Sequence, residues 1–193
     1  MSPREESQEV KLTGLAIDGL RLRLIGTSPL IVHKWSEKAK KQMLDKQMKR
    51  GSQGKAAKDP DQDYRESLYI RDDGTYGFPA VAFKAAAVRA GTYCEMKMVF
   101  LRGAFHVEGD LVRIIGEPKA REDMVRVGMG TADIRYRPEF PEWSTELDVT
   151  YNSRALSAEQ IVQLFEIAGF AVGVGEWRPE KDGQFGRFRV ETA

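Results

Sequence analysis

Hydrophobic and polar residues alternate in several segments of the chain, a pattern typical of strands with one buried face. Residues 20–24 place leucines on one face and Arg21 and Arg23 on the other. Residues 30–32 resume an extended apolar run after Gly26 and Pro29. The most regular alternation predicts a later strand whose apolar face carries the following side chains: Trp143, Thr145, Leu147, Val149 and Tyr151.

Shorter patterns predict the remaining strands. Residues 68–78 are typical of a small hairpin around a glycine turn at Gly74. Residues 105–115 show a strand–turn–strand pattern across Gly109 and Asp110. Residues 185–190 predict the last strand.

Two helices carry clear boundary signals. Pro79 stands at the start of an alanine-rich helix over residues 80–90. Ser157 and Gln160 form a capping box, the apolar stripe that follows reaches Ala168, and Gly169 is the expected end. A further, partial helix is predicted near residues 38–48, with an apolar face able to pack on the body: Ala39, Met43, Leu44 and Met48.

The order strand, helix, two or more strands, helix, strand is that of ferredoxin-like domains. We therefore expect an α+β, ferredoxin-like or RRM-like antiparallel sheet with helices on one face and the other face open. The chain shows no internal repeat and no second core, so residues 1–193 are predicted to form one domain. It carries two insertions, a basic arm at about 34–67 and a hairpin at 118–138.

Composition narrows the protein class. Of the 193 residues 41% are hydrophobic and 31% charged, which is a globular composition. No apolar run approaches the roughly 20 residues that cross a bilayer, and the first residues lack a signal-peptide core. The single cysteine, Cys94, excludes an intrachain disulfide and a multi-cysteine zinc site. A cytoplasmic protein without membrane contact is expected.

The net charge of +1, from 30 basic and 29 acidic residues, hides an uneven distribution. Residues 34–58 contain nine basic residues against Glu37 and Asp45, a local charge of +7 that leaves −6 for the rest. Local positive potential of this kind suits a phosphate backbone. A solvated helix face is the alternative interpretation.

Two further segments suit a single-stranded nucleic acid. Residues 169–186 are rich in glycine, arginine and aromatic residues, and glycine lets a backbone approach a ligand closely. Residues 118–138 interleave arginines with methionine and tyrosine around a Gly-x-Gly apex. The structural alternatives are a long helix-to-strand connection and a hairpin whose methionines fill the core.

Candidate catalytic groups are few. His33 and His106 lack metal-ligand partners at a recognisable spacing, and no metal or cofactor is predicted. His33 stands beside Lys34, where it could act as a general base. Cys94 is expected to be a buried structural thiol.

Three motifs together resemble the RAMP superfamily of ferredoxin-like RNA-binding proteins from CRISPR effector complexes. They are IGTSPLIVH at residues 25–33, GFPAVAFKAAAVR at 77–89, and the glycine-rich run over 173–188 that ends in FGRF. The resemblance implies a relative of the subunits that form a filament along the guide, with residues 118–138 as a thumb hairpin that wedges between bases. The chain looks like a free-standing member of this superfamily, of the kind expected in a phage or prophage.

These observations predict a non-catalytic protein that binds single-stranded DNA or RNA and forms a homo-oligomer along it, of which a helical filament is one form. The residues expected to contact nucleic acid are Arg21, Arg23, His33, Lys34, Lys38, Lys40, Lys41, Lys46, Lys84, Arg89, Arg121, Arg126, Met129, Arg135, Tyr136, Arg137, Trp177, Arg178, Lys181 and Arg187. One alternative is a metal-independent endoribonuclease with His33 as base. The other is a phage assembly or interaction protein.

Overall fold

The computed structural model describes residues 14–35, 37–48, 59–127 and 131–191. Its strands are β1 (Ile17–Gly26), β2 (Leu30–Ile31), β3 (Gly77–Pro79), β4 (Phe105–Val107), β5 (Leu111–Arg113), β6 (Lys119–Val127), β7 (Thr131–Phe140), β8 (Ser144–Asn152) and β9 (Phe188–Val190). Its helices are α1 (Glu37–Gln47), α2 (Pro60–Glu66), α3 (Ala80–Ala90), α4 (Met98–Ala104) and α5 (Ala158–Ile167).

The main sheet has the strand order β4-β8-β1-β9, and every neighbouring pair is antiparallel. Taken with α3 and α5, its chain order is β1-α3-β4-β8-α5-β9. In the sheet, β1 lies between β8 and β9, and β4 lies at the edge beside β8. This is the split β-α-β topology of ferredoxin-like domains, so the structure confirms the predicted α+β fold class.

The strand alternation seen in the sequence determines which face of the sheet is covered. Leu22 and Leu24 of β1 are buried, as are Leu147 and Val149 of β8, in the core that also contains the buried residues of α3 and α5. Their polar neighbours in the same strands are exposed: Arg21, Arg23, Glu146 and Asp148. The second face of the sheet is therefore open to solvent, as predicted.

The predicted strand–turn–strand unit at 105–115 does not form a hairpin. β4 pairs with β8, whereas β5 pairs with β3 in a separate two-stranded sheet. Phe105 stands opposite Tyr151 and Val112 opposite Phe78, so each apolar strand is buried against a different partner. The chain changes layers at Gly109, whose φ of +82° suits glycine.

The insertion at 118–138 forms the predicted hairpin, β6 with β7. Its base belongs to a three-stranded sheet in the order β2-β7-β6. Leu30 and Ile31 of β2 stand opposite Phe140 and Glu139, so the hairpin is anchored beside the motif at 25–33. The apex, residues 128–130, lies outside the described residues.

The basic arm differs from the expectation in its packing. Helix α1 is present, but Met43, Leu44 and Met48 are each about half exposed, so the predicted apolar face is not buried. Most residues of α1 are charged or carry amides, which leaves too narrow an apolar stripe to hold the helix against the body. Residues 49–58 lie outside the described part of the chain.

Helix α5 begins as predicted, with both hydrogen bonds of the Ser157–Gln160 capping box formed. The α-helix ends at Ile167 with Ala168 as its C-cap, close to the predicted end at Gly169. The chain then continues as a π-helical turn over Ala168–Val172, which stops at Gly173, whose φ is +69°. Gly169 packs closely against the backbone of Phe188 in β9.

Two further features concern the expected class of protein. In the described ranges no helix is long and apolar enough to cross a membrane. Cys94 packs against the hydrophobic core as predicted for a structural thiol, but it is only partly buried. It lies in the short helical turn Gly91–Cys94, where the chain leaves α3 at the edge of the core.

Candidate nucleic-acid interface

A cleft of about 690 Å³ opens between α3, α4 and the glycine-rich loop that follows α5. Helix α3 contributes a stripe at helical spacing, made of Val81, Lys84, Ala85, Val88 and Arg89. The opposite face of α3 carries Phe83 and Ala87, which are fully buried in the core. The amphipathic sequence of α3 therefore anchors one wall of the cleft and presents two cations to it.

The opposite wall is the loop at residues 172–180. Backbone hydrogen bonds attach the glycine-rich segment to the start of β2. The Glu176 N–H donates to the Ile31 carbonyl at 2.9 Å, and the Gly186 N–H donates to the Pro29 carbonyl at 2.7 Å. Gly186 has φ +65°, and a Cβ there would overlap the Val174 carbonyl oxygen. The glycines thus allow the loop to pack against itself and against the start of β2.

Four basic side chains line the cleft against two carboxylates: Lys84, Arg89, Arg102 and Arg178 against Glu176 and Glu180. Arg89 donates from Nε to Glu180 Oε1 at 2.6 Å. Arg178 donates to Glu180 Oε2 from Nη2 at 2.9 Å and from Nε at 3.1 Å. The hydrogen bond from Arg89 is the main reason that the pKa of Glu180 lies below its ordinary value.

Lys84 has a different partner. Its Nζ lies 3.0 Å from Nδ1 of His106, the second histidine. This places His106 next to the cleft rather than at a separate surface. Glu180 thus binds two of the four cations that line the cleft, and Lys84 contacts His106.

His33 and Tyr69 also line the cleft, where the chain leaves β2. The His33 imidazole is half-buried, and burial lowers its pKa from the ordinary value of 6.5; the nearby charges of Arg137 and Arg135 act in the same direction. His33 is therefore neutral at pH 7 and able to accept a hydrogen bond or a proton.

Arg137 of β7 is only 3% exposed, although the sequence suggested a surface contact. Its Nη1 lies 3.7 Å from Asp123 Oδ2 and 3.9 Å from Glu176 Oε2. Burial lowers its pKa. The Arg137 side chain is thus buried within the hairpin, where its charge is close to two carboxylates and is not presented at the surface.

Arg121 of β6 joins the hairpin to the glycine-rich segment. It donates to Asp123 Oδ1 at 2.8 Å and to Glu139 Oε2 at 2.6 Å. Its guanidinium carbon lies 4.8 Å from the centroid of the Phe185 ring. Cation–π packing of this kind orders the base of the hairpin.

Comparison with known proteins returns structural likenesses alone. No protein-family model matches the chain, and no curated protein matches it significantly. The chain is similar to Cmr6 from Pyrococcus furiosus, with 12% identity and a TM-score of 0.46 over 92% of this chain and all of that one. It is also similar to Cas6 in a product complex, with 16% identity and a TM-score of 0.29 over 89% of this chain and 51% of that one.

The other residues predicted to contact nucleic acid are spread over further surfaces. Arg21 and Arg23 project from the open sheet face and pair with Asp148 at 2.7 Å and Glu191 at 3.0 Å. The exposed side chains elsewhere are Lys34, Lys40, Lys41, Trp177 and Lys181, while Arg135, Tyr136 and Arg187 are partly buried. Met129 lies outside the described residues, as do the side chains of Lys38, Lys46 and Arg126.

Among the predicted residues, four line the cleft: His33, Lys84, Arg89 and Arg178. The sequence did not predict several of their neighbours with polar or aromatic groups, which are Tyr69, Arg102, Glu176 and Glu180. Arg102 belongs to the unpredicted helix α4. The two glutamates stand among the glycines and arginines of the loop, so their position in the sequence is a signal that could have placed them here.

The hairpin carries two exposed apolar residues that are not among the predicted contacts, although Met124 is one of the methionines that the sequence places between its arginines. Met124 of β6 stands directly opposite Ile134 of β7, and Met124 is 73% exposed. An apolar pair in this position can pack on an unpaired base.

In the described segments no group of three His, Cys, Asp or Glu side chains could hold a metal ion.

Proposed function

We propose that this protein binds a single-stranded nucleic acid in the cleft between α3 and the glycine-rich loop. The observation that supports this most directly is the cleft itself, because Lys84 and Arg89 of α3 face Arg178 of the loop across it. Cations on two walls can follow a phosphate backbone, while Tyr69 offers a flat surface to a base inside the cleft. Trp177, exposed on the same loop but outside the cleft, offers a second one.

The proposal includes assembly of several copies along one strand. Outside the cleft, the described part of the basic arm exposes Lys40 and Lys41, and the hairpin carries the Met124–Ile134 pair. A strand that leaves the cleft could follow either of them to a neighbouring copy. The ligand is single-stranded RNA or DNA, and an origin in a phage or prophage stays a prediction.

Fluorescence anisotropy with labelled single-stranded RNA and DNA tests the proposal. We expect Lys84→Gln/Arg102→Gln to weaken binding by roughly tenfold or more, because a site with two fewer cations releases fewer counterions from the strand. Arg113→Gln/Arg189→Gln is the matched control, since it removes the same charge from exposed positions outside the cleft, the arm and the hairpin. Equal losses in both variants, or no binding by the unaltered protein at low salt, would contradict the proposal.

Assembly is tested with strands of increasing length. Each additional binding site should add one protein per strand in sedimentation velocity, and electron microscopy should show extended particles on the longest strands. A single protein per strand at every length would contradict assembly while leaving cleft binding in place.

An endoribonuclease is the second candidate, and the position of His33 supports it. Its imidazole lies in the cleft and is neutral at pH 7, so it could accept a proton from a ribose 2′-hydroxyl. Metal-independent cleavage of a hairpin RNA should then be lost in His33→Ala and retained in His106→Ala. RNA that stays intact after prolonged incubation would remove this candidate.

A further inference from the structure

Glu180 connects the two walls of the cleft. One carboxylate oxygen accepts a hydrogen bond from Arg89 of α3 at 2.6 Å, and the other accepts from Arg178 of the loop at 2.9 and 3.1 Å. Arg178 is held from a second direction, because its Nη1 donates to the Gly175 carbonyl at 3.1 Å. The Glu180 carboxylate thus lies between the guanidinium groups of Arg89 and Arg178, with one oxygen bound to each.

This arrangement is also the one that suits a phosphodiester. The two non-bridging oxygens of a phosphate can accept from two guanidinium groups as the oxygens of a carboxylate do. The Glu180 side chain is 21% exposed, whereas that of Arg89 is 50% exposed. A ligand in the cleft can therefore approach the Arg89 guanidinium from the open side, before the bond to Glu180 is broken.

We propose that Arg89 and Arg178 form a phosphate subsite and that Glu180 occupies this subsite in the free protein. The inference rests on the proposed function, and it adds that a ligand phosphate binds here by displacing a carboxylate of the same chain. Displacement weakens every ligand by the same factor, so it does not change the ratio of their affinities. A strand that makes several other contacts still binds after this loss, whereas a mononucleotide or a simple anion, which binds weakly from the start, no longer binds measurably.

The test compares Glu180→Gln with the unaltered protein in binding a labelled single-stranded RNA at fixed salt. We expect the variant to bind about three- to tenfold more tightly, because an amide competes poorly for two guanidinium groups. Glu191→Gln is the matched control, since Glu191 also pairs with an arginine, Arg23 at 3.0 Å, but on the open sheet face. Its affinity should be unchanged.

Affinity of Glu180→Gln equal to or weaker than that of the unaltered protein would overturn the proposal, as would an equal gain in Glu191→Gln. If neither protein binds RNA or DNA, the proposed function fails and inorganic tripolyphosphate decides the subsite by calorimetry. Tighter tripolyphosphate binding by Glu180→Gln, abolished in Arg89→Gln/Glu180→Gln, supports the subsite. Identical binding by all three proteins overturns it.

Discussion

His33 joins a sequence motif to a measurable property of the folded chain. Its imidazole is half-buried next to Arg137 and Arg135, and its pKa lies below 6.5. Below pH 6.5 the unfolded chain takes up a proton at His33 that the folded chain does not. Its contribution to stability is therefore complete above pH 6.5 and is lost as pH falls toward the folded pKa.

We therefore expect the free energy of unfolding to fall less steeply between pH 6.5 and pH 5 in His33→Gln than in the unaltered protein. Urea denaturation at a series of pH values measures this. His106→Gln is the control for a histidine beside the same cleft. Parallel pH profiles for the unaltered protein and His33→Gln would show that burial does not suppress protonation of His33.

Arg137 supports a second prediction about a single residue. Its Nε and Nη1 are buried without a hydrogen-bond partner in the described structure, and its carboxylate neighbours lie at 3.7 and 3.9 Å. Replacing one member of a buried ion pair leaves the other uncompensated, whereas replacing both by neutral groups is tolerated. Arg121 still binds Asp123, so the cost of losing Arg137 is moderated.

We expect Arg137→Met to lower the free energy of unfolding by about 1–3 kcal/mol. Arg137→Met/Asp123→Asn should recover most of that loss, because the buried Asp123 side chain, held by Arg121 alone in the single variant, is then neutral. Chemical denaturation of the two variants and of Asp123→Asn completes the cycle. Strictly additive losses would show that Arg137 and Asp123 do not interact.

Among the elements, sequence patterns identified those whose signals are local. The alternation in β8 and the capping box of α5 each lie within a few consecutive residues, and both are confirmed. Helix α2 is not predicted because Asp59-Pro60 is typical of a break, although here Asp59 caps the helix and Pro60 occupies its first turn. Helix α4 has seven residues and no side-chain cap, so it gives no comparable signal.

The candidate site could be predicted only in part, because its contacts are far apart in the chain. Arg89 and Glu180 are separated by 91 positions, and nothing in either segment indicates that they meet. The pairing of β4 and β5 with different sheets has the same cause. Alternation shows that a strand has a buried face but does not show which strand covers it.

The close packing of the glycine-rich loop at Gly186 has an effect on stability that substitution can measure. Gly186 and Gly74 both have positive φ, +65° and +78°, but a Cβ at Gly186 meets the Val174 carbonyl whereas a Cβ at Gly74 meets open space. We expect Gly74→Ala to cost about 1 kcal/mol of stability from backbone conformation alone. Gly186→Ala should cost roughly 1–3 kcal/mol more, because the loop must shift to relieve the overlap.

Thermal and urea unfolding of both variants measure the difference. Gly186→Ala should also weaken nucleic-acid binding, since the loop carries Arg178 into the cleft, while Gly74→Ala should not. Equal destabilisation in the two variants would show that the close packing of the loop contributes nothing beyond the conformational preference of glycine.

For the whole molecule, a net charge of +1 describes the sum of two unlike parts. The segment 34–58 carries +7 and the remainder −6, and the basic residues Lys40 and Lys41 are exposed on α1. The acidic body of one copy can bind the basic arm of a neighbouring copy. Alternatively, the arm can point toward a nucleic-acid strand that both copies share. Near-neutrality therefore agrees with binding and assembly once charge is considered by position.

The arm gives the last prediction, because its two interpretations differ in their response to salt. If α1 binds phosphates, Lys40→Glu/Lys41→Glu should weaken binding and reduce the slope of log affinity against log salt by about 0.7 for each phosphate that the arm no longer neutralises. Arg113→Glu/Arg189→Glu reverses the same charge at exposed positions outside the arm, the cleft and the hairpin and should change the slope little. Anisotropy titrations over a range of salt concentrations measure both slopes. An unchanged slope in the arm variant would show that α1 is a solvated helix and that the cleft alone holds the strand.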